Sequence, residues 1–168
     1  MNIVKESLDF EREGTPFKKL NIGVKKSIEN WLENHNIYNY VINEEENNYI
    51  YSKQNIFLHL CNLVKLPDYI QFFIVDGTFT IHRNKLISLK GCPINVLGSF
   101  SCHNNKLKSL DGCPELVKEN FSCNDNLLTS LDGCPKLVGG NFYCKNNKVK
   151  FTRKDVLARC KVKGSISV

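Results

Sequence analysis

The chain has 168 residues, 42% of them hydrophobic and 24% charged, which is the balance of a folded globular chain rather than a disordered one. A chain of this length buries roughly 70% of its unfolded surface and needs neither metal nor disulfide to be stable. The formal charge of +6 is uneven: residues 1–56 carry 7 Lys/Arg against 9 Asp/Glu, and residues 57–168 carry 16 against 8. No apolar run reaches the ~18 residues of a membrane span. The opening MNIVKESLDFEREG has neither the apolar stretch nor the cleavage site of a secretion signal. The expectation is a soluble, cytoplasmic protein with no membrane partner.

From the N-terminus onward, the first periodic segment is Val24, Ile28, Trp31 and Leu32, which share one face and predict an amphipathic helix over 24–35. NIYNYVI (36–42) and NYIYSK (48–53) flank NEEEN and read as a hairpin. Helix and hairpin together predict an α+β N-terminal cap over residues 1–56 rather than a separate domain.

Eight cysteines follow: Cys61, Cys92, Cys102, Cys113, Cys123, Cys134, Cys144 and Cys160. A secreted chain would use them as disulfides, and a zinc site would show CxxC or HxxxH pairs, which are absent. Cys92, Cys113 and Cys134 recur at one constant interval, and Cys102, Cys123 and Cys144 recur at the same interval. Two series that share one 21-residue period define a repeat. Equivalent side chains of a solenoid stack about 4.8 Å apart, and cysteine in such a ladder serves as a small buried apolar group.

The clearest copies are 84–104, 105–125 and 126–146. An earlier degenerate copy keeps Val75, Gly77, Phe79, Ile81 and Asn84 in register, and Leu58 and Leu60 stand one period further upstream, where they mark a first, irregular coil. Phe-x-Cys is a short strand with both side chains inward. The series Asn84, Asn105, Asn126 and Asn147 follows each strand, where an amide can satisfy backbone groups left unpaired by the turn. Leu107/Leu110 and Leu128/Leu131 line the next wall, and Asp-Gly-Cys-Pro makes a turn that uses glycine at positive φ. Val96, Val117 and Val138 cover the far side, where so short a unit leaves room only for 3₁₀ or extended segments. The repeats are assigned to residues 57–151. Residues 152–168 predict a C-terminal cap: a helix of roughly two turns, N-capped by Thr152 with Asp155 and buried through Val156, Leu157 and Cys160, then a strand in Gly164–Val168.

Phe100, Cys102, Asn105, Leu107 and Leu110, repeated as Phe121, Cys123, Asn126, Leu128 and Leu131, stand at the positions L-x-L-x-x-N-x-L-x-x-L. In this the chain resembles the leucine-rich repeat family, with Phe and Cys in place of two leucines. The resemblance implies a mainly β repeat solenoid. The short form LxSLxGCPxxVxGxFxCxNN is similar to repeats in small proteins of tailed bacteriophages, and ESLDFEREGTPFKKLNIG looks like an opening segment found on otherwise unrelated phage proteins. This resemblance implies a phage-encoded protein of the host cell cytoplasm or the virion.

No Gly-rich phosphate loop, Ser/His/Asp order or paired catalytic carboxylate is legible, and no cofactor or metal is called for. His82 and His103, one period apart, have no acid or third ligand in their register. Strand alternation places a candidate binding grid on the exposed, concave face: Thr78, Thr80 and His82; Ser99, Ser101 and His103; Asn120, Ser122 and Asn124; Asn141, Tyr143 and Lys145. The leading expectation is a non-enzymatic module that binds a protein, with a host protein as its target. Two alternatives stand beside it. One is a structural component of the virion or its assembly. The other is non-specific nucleic-acid binding by the basic repeat half, where Lys85, Lys106 and Lys148 share one position and Lys108 and Lys150 another, interrupted by Leu127 and Thr129.

Overall fold

The computed structural model describes residues 22–44 and 48–168. Residues 1–21, which carry most of the segment ESLDFEREGTPFKKLNIG, and the centre of the NEEEN loop lie outside this range. The chain begins with helix α1 (Ile22–Asn34), which starts slightly earlier than its apolar spacing predicts, with Ile28 and Leu32 buried against the core. The hairpin follows as β1 (Tyr40–Asn43) and β2 (Tyr49–Ser52), paired antiparallel.

From there the chain winds as a solenoid in which each coil contributes one short strand to each of two sheets. The first sheet takes β3 (Ile56–Phe57), β5 (Phe79–Thr80), β7 (Phe100–Ser101), β9 (Phe121–Ser122), β11 (Phe142–Tyr143) and β13 (Ile166–Ser167), all parallel and in chain order. The second takes the hairpin and then β4 (Phe72–Val75), β6 (Asn95–Val96), β8 (Leu116–Val117), β10 (Leu137–Val138) and β12 (Lys161–Val162). The fold is therefore a mainly β solenoid with a 21-residue period. The segments around Val96, Val117 and Val138 are extended and paired, not 3₁₀, because each finds a parallel neighbour one coil away.

Each repeated residue type has one place. Phe79, Phe100, Phe121 and Phe142 are fully buried. The first three stack nearly parallel at 5.8 and 5.9 Å, and Phe142 tilts against Phe121 at 4.9 Å. Cys102, Cys123 and Cys144 lie beneath them, and Val75, Val96, Val117 and Val138 close the core from the second sheet. Gly91, Gly112 and Gly133 turn the chain at φ +90°, +85° and +79°, and a Cβ at Gly133 would stand 2.6 Å from the Leu110 carbonyl carbon. A second left-handed column, unforeseen, precedes the buried asparagines: Arg83, Asn104, Asp125 and Asn146, at φ +53° to +56°. Asn and Asp tolerate this conformation best.

The buried asparagines tie coil to coil. Asn126 Oδ1 accepts from the Leu107 N–H at 3.1 Å, and its Nδ2 donates to the carbonyls of Cys102 and Cys123 at 3.1 and 3.2 Å. Asn105 does the same for Leu86, Ile81 and Cys102 at 2.9, 3.1 and 3.0 Å. Asn84 and Asn147 repeat the pattern.

The first coil is irregular, as expected, while the placement of Leu60 and the length of the C-terminal helix differ from the sequence reading. The first coil is longer than those after it: Ile56 pairs with Phe79, as Phe79 pairs with Phe100, and Leu58 therefore aligns with Ile81. Leu60 falls on the left-handed column at φ +59° and is 63% exposed, not inward. Its coil instead buries Leu66 and Ile70. At the C-terminus, Thr152 and Asp155 form the expected reciprocal cap. The helix, α2 (Arg153–Leu157), makes little more than one turn and leaves Leu157 48% exposed. It stops early because Cys160 has to enter the core and Lys161–Val162 has to join the second sheet.

The register is open to a direct check. Thiol reagents should modify exposed Cys61 in the folded protein and reach Cys102, Cys123 and Cys144 only on unfolding. Cys123→Ser should lower the unfolding free energy by about 1–3 kcal/mol, and Cys123→Val by much less. Chemical denaturation with mass-spectrometric labelling reads both.

Candidate binding surface

The outward side chains of the first sheet form three columns along the solenoid. The column just before the strands, Asn55, Thr78, Ser99, Asn120 and Asn141, is committed to the backbone. Asn55 Oδ1 accepts from Thr78 N–H at 2.8 Å, Thr78 Oγ1 from Ser99 N–H at 3.4 Å, and Ser99 Oγ from Asn120 N–H at 3.3 Å. Asn120 and Asn141 accept from Asn141 and Ser165 N–H at 2.9 and 2.8 Å. Four of the twelve grid residues thus act first as rungs that tie one coil to the next.

The middle column is Phe57, Thr80, Ser101, Ser122 and Tyr143. Phe57 is 54% exposed, and Tyr143 accepts from Asn141 Nδ2 at 3.1 Å. The third column is His59, His82, His103, Asn124 and Lys145, in which Asn124 Oδ1 accepts from Lys145 N–H at 2.6 Å. The structure therefore brings His82 and His103 together as expected, and adds His59. The imidazoles stack almost parallel, 5.1 Å between His59 and His82 and 4.3 Å between His82 and His103. Phe57 meets His59 edge-on at 6.3 Å. His59 escapes a strict reading of the period because the first coil is longer. The signal that finds it is the apolar pair Ile56 and Leu58, which sets the longer coil in register with Phe79 and Ile81.

The lone pairs of stacked imidazoles lie in parallel planes and do not converge on a point. Among the described residues no three His, Cys, Asp or Glu side chains are grouped to hold a metal ion. Ser101 Oγ and His103 Nδ1 share a hydrogen bond of 2.7 Å. The same two positions one coil earlier are Thr80 and His82, and there Oγ1 and Nδ1 are both buried without a partner. Burial, followed by His103, His59 and Arg83, pushes His82 down to about 4. His103 is also lowered, by burial and Arg83, with Asp125 opposing. The His82–His103 pair is consequently neutral at physiological pH.

The cysteine ladders are chemically quiet except at Cys144, where a hydrogen bond from Cys123 holds the thiol below its usual range. Burial pushes the Cys102 and Cys160 thiols up to about 12 and Cys134 up to about 11, and holds Cys92, Cys113 and Cys123 well above the usual range. A protonated thiol is a poor nucleophile. On the second sheet, the sequence reading missed an aromatic cluster: Tyr49 and Tyr51 stand 5.0 and 5.2 Å from Phe73, beside 61% exposed Val41. No described helix is long and apolar enough to cross a membrane.

The fold and this face define a β-solenoid scaffold with one structured polar surface. No protein-family model matches the chain, and no curated protein or solved structure matches it either.

The histidine column has a signature in pH. Unfolded histidine titrates near 6.5, and His82 in the fold near 4. Acid therefore favours the unfolded chain as pH falls from about 6.5 towards 4, with no further loss from this group below that. Melting curves should show lower stability at pH 4.5 than at pH 7. His82→Asn, which places there the residue found at 124, should narrow that difference.

Proposed function

We propose that the protein is a non-enzymatic module that recognises a protein partner through the outer face of the first sheet. One observation carries this reading. The column Asn55, Thr78, Ser99, Asn120 and Asn141 is hydrogen-bonded to the backbone, so the adjoining side chains are held on a rigid grid before any partner arrives. Preorganised side chains lose little entropy on binding. The grid offers two aromatic anchors, Phe57 and Tyr143, with the neutral His82–His103 pair and hydroxyls between them, which suits a polar partner surface with apolar projections. The similarity to phage repeats extends the proposal to a phage-encoded protein whose partner is a host protein.

The test is affinity capture from bacterial lysate with the whole chain, run in parallel with Phe57→Ala, Tyr143→Ala and His103→Ala. A specific partner should be held by the wild type and lost about tenfold or more from at least one anchor variant. If every retained protein binds the variants as well as the wild type, the face is not the recognition surface.

A further inference from the structure

The coiling that stacks the strands also sorts the charges. After each strand of the first sheet the chain turns along one edge, through residues 82–87, 103–108, 124–129 and 145–150 in successive coils. The outward positions of this edge hold Arg83 and Lys85, then Lys106 and Lys108, then, past Leu127 and Thr129, Lys148 and Lys150, all exposed. None of these cations is in an ion pair among the described residues. The ion pairs described in the repeat half are Lys65–Asp68, Lys136–Glu115 and Arg159–Asp132, all elsewhere. One carboxylate interrupts the edge, Asp125, and its Oδ1 already accepts from Asn146 Nδ2 at 2.9 Å. Asp111, Glu115, Glu119 and Asp132 fall on the turns and on the approaches to the strands, away from this edge.

The edge is rigid. Lys106 N–H donates to the Leu86 carbonyl at 2.9 Å and Leu127 N–H to the Leu107 carbonyl at 2.8 Å, so each position is set one coil above the last. Equivalent lysines therefore recur at multiples of about 4.8 Å. At its C-terminal end the edge meets an open depression lined by Lys145, Asn146, Val149, Lys150 and Val168, with Phe151 buried beneath it.

We propose that this edge binds the phosphodiester backbone of a single-stranded nucleic acid. The line of lysines matches a linear polyanion, since Lys acts as a point charge that contacts phosphate without reading sequence. Exposed Ile87, Leu127 and Val149 lie between the cations, where bases can pack. An acidic protein would call for aromatic anchors, and this edge exposes none. The edge meets the sheet-face grid at Lys145, but Lys106 and Lys108 lie outside that grid, so this proposal is tested independently of the one above.

The test measures binding of the whole chain to a fluorescent oligo-dT or oligo-U of ~12 nucleotides across a salt series. A single strand contributes about −0.7 to the log–log salt slope for each phosphate neutralised. A slope of about −3 is expected for the wild type, with sequence-independent affinity. The double variant Lys106→Gln/Lys108→Gln should flatten the slope by ~1.4 and weaken binding at least tenfold. Lys161→Gln/Lys163→Gln, at and just beyond β12 of the second sheet, should leave both unchanged. No binding at about 25 mM salt would overturn the proposal. So would equal effects of the two double variants, equal affinity for poly-glutamate of the same charge, or stronger binding to a duplex of the same length.

Discussion

Each time the chain leaves a strand of the first sheet it reverses direction within a short span, and the reversal points backbone groups into an apolar interior. An unpaired buried N–H or carbonyl costs about 1–3 kcal/mol, so a solenoid of many coils cannot tolerate one per turn. The buried asparagine removes the difficulty. Its amide presents one acceptor and two donors, and in Asn105 and Asn126 both ends are used, each joining its own coil to the one before. A leucine at that position would fill the space and leave the groups unpaired. A Ser would be too short to reach both coils.

The rest of the architecture follows from having the coils locked in register. The parallel strands are too short to hold a sheet by themselves, yet here they line up because the turn beside them is pinned. Register then stacks like on like: Phe on Phe, Cys on Cys, Val on Val. The same rule acts outside, where it carries the chemistry. It builds the Asn55–Asn141 column that stiffens the sheet face, the three-imidazole stack, and the lysine edge. Stacking like charges is unfavourable in itself, and so is protonating a buried imidazole beside others, which is why His82 is lowered. The interior ladders overcome this cost.

The interior was the most legible part of the fold in the sequence. A buried position accepts few residue types, so Phe100, Cys102, Asn105, Leu107 and Leu110 recur visibly, and the cap at Thr152 carries its own local signal. What escaped reading was of two kinds. Insertions shift register without marking themselves, which is why Leu60 was expected inward and His59 was not placed in the column. Hydrogen bonds from side chains to the backbone have little sequence signature, because Thr78, Ser99, Asn120 and Asn141 do the same work with three residue types. A pattern of mixed small polar residues looks like a solvated surface whether or not the oxygens are committed. The second sheet was also read only from its inner valines, since strands this short give no alternation to follow.

The central claim is that the buried asparagines hold neighbouring coils together through their amides, and the Leu107 N–H reports on it most directly. In the folded protein this amide donates to Asn126 Oδ1 at 3.1 Å and should exchange with solvent deuterium only through large-scale opening. In Asn126→Ala the amide should lose its protection, and the unfolding free energy should fall by about 3 kcal/mol, with Asn126→Asp intermediate because it keeps the acceptor. A Leu107 amide that stays protected in Asn126→Ala, with stability unchanged within about 0.5 kcal/mol, would contradict the account and mean that packing of the Phe, Val and Leu columns alone sets the register.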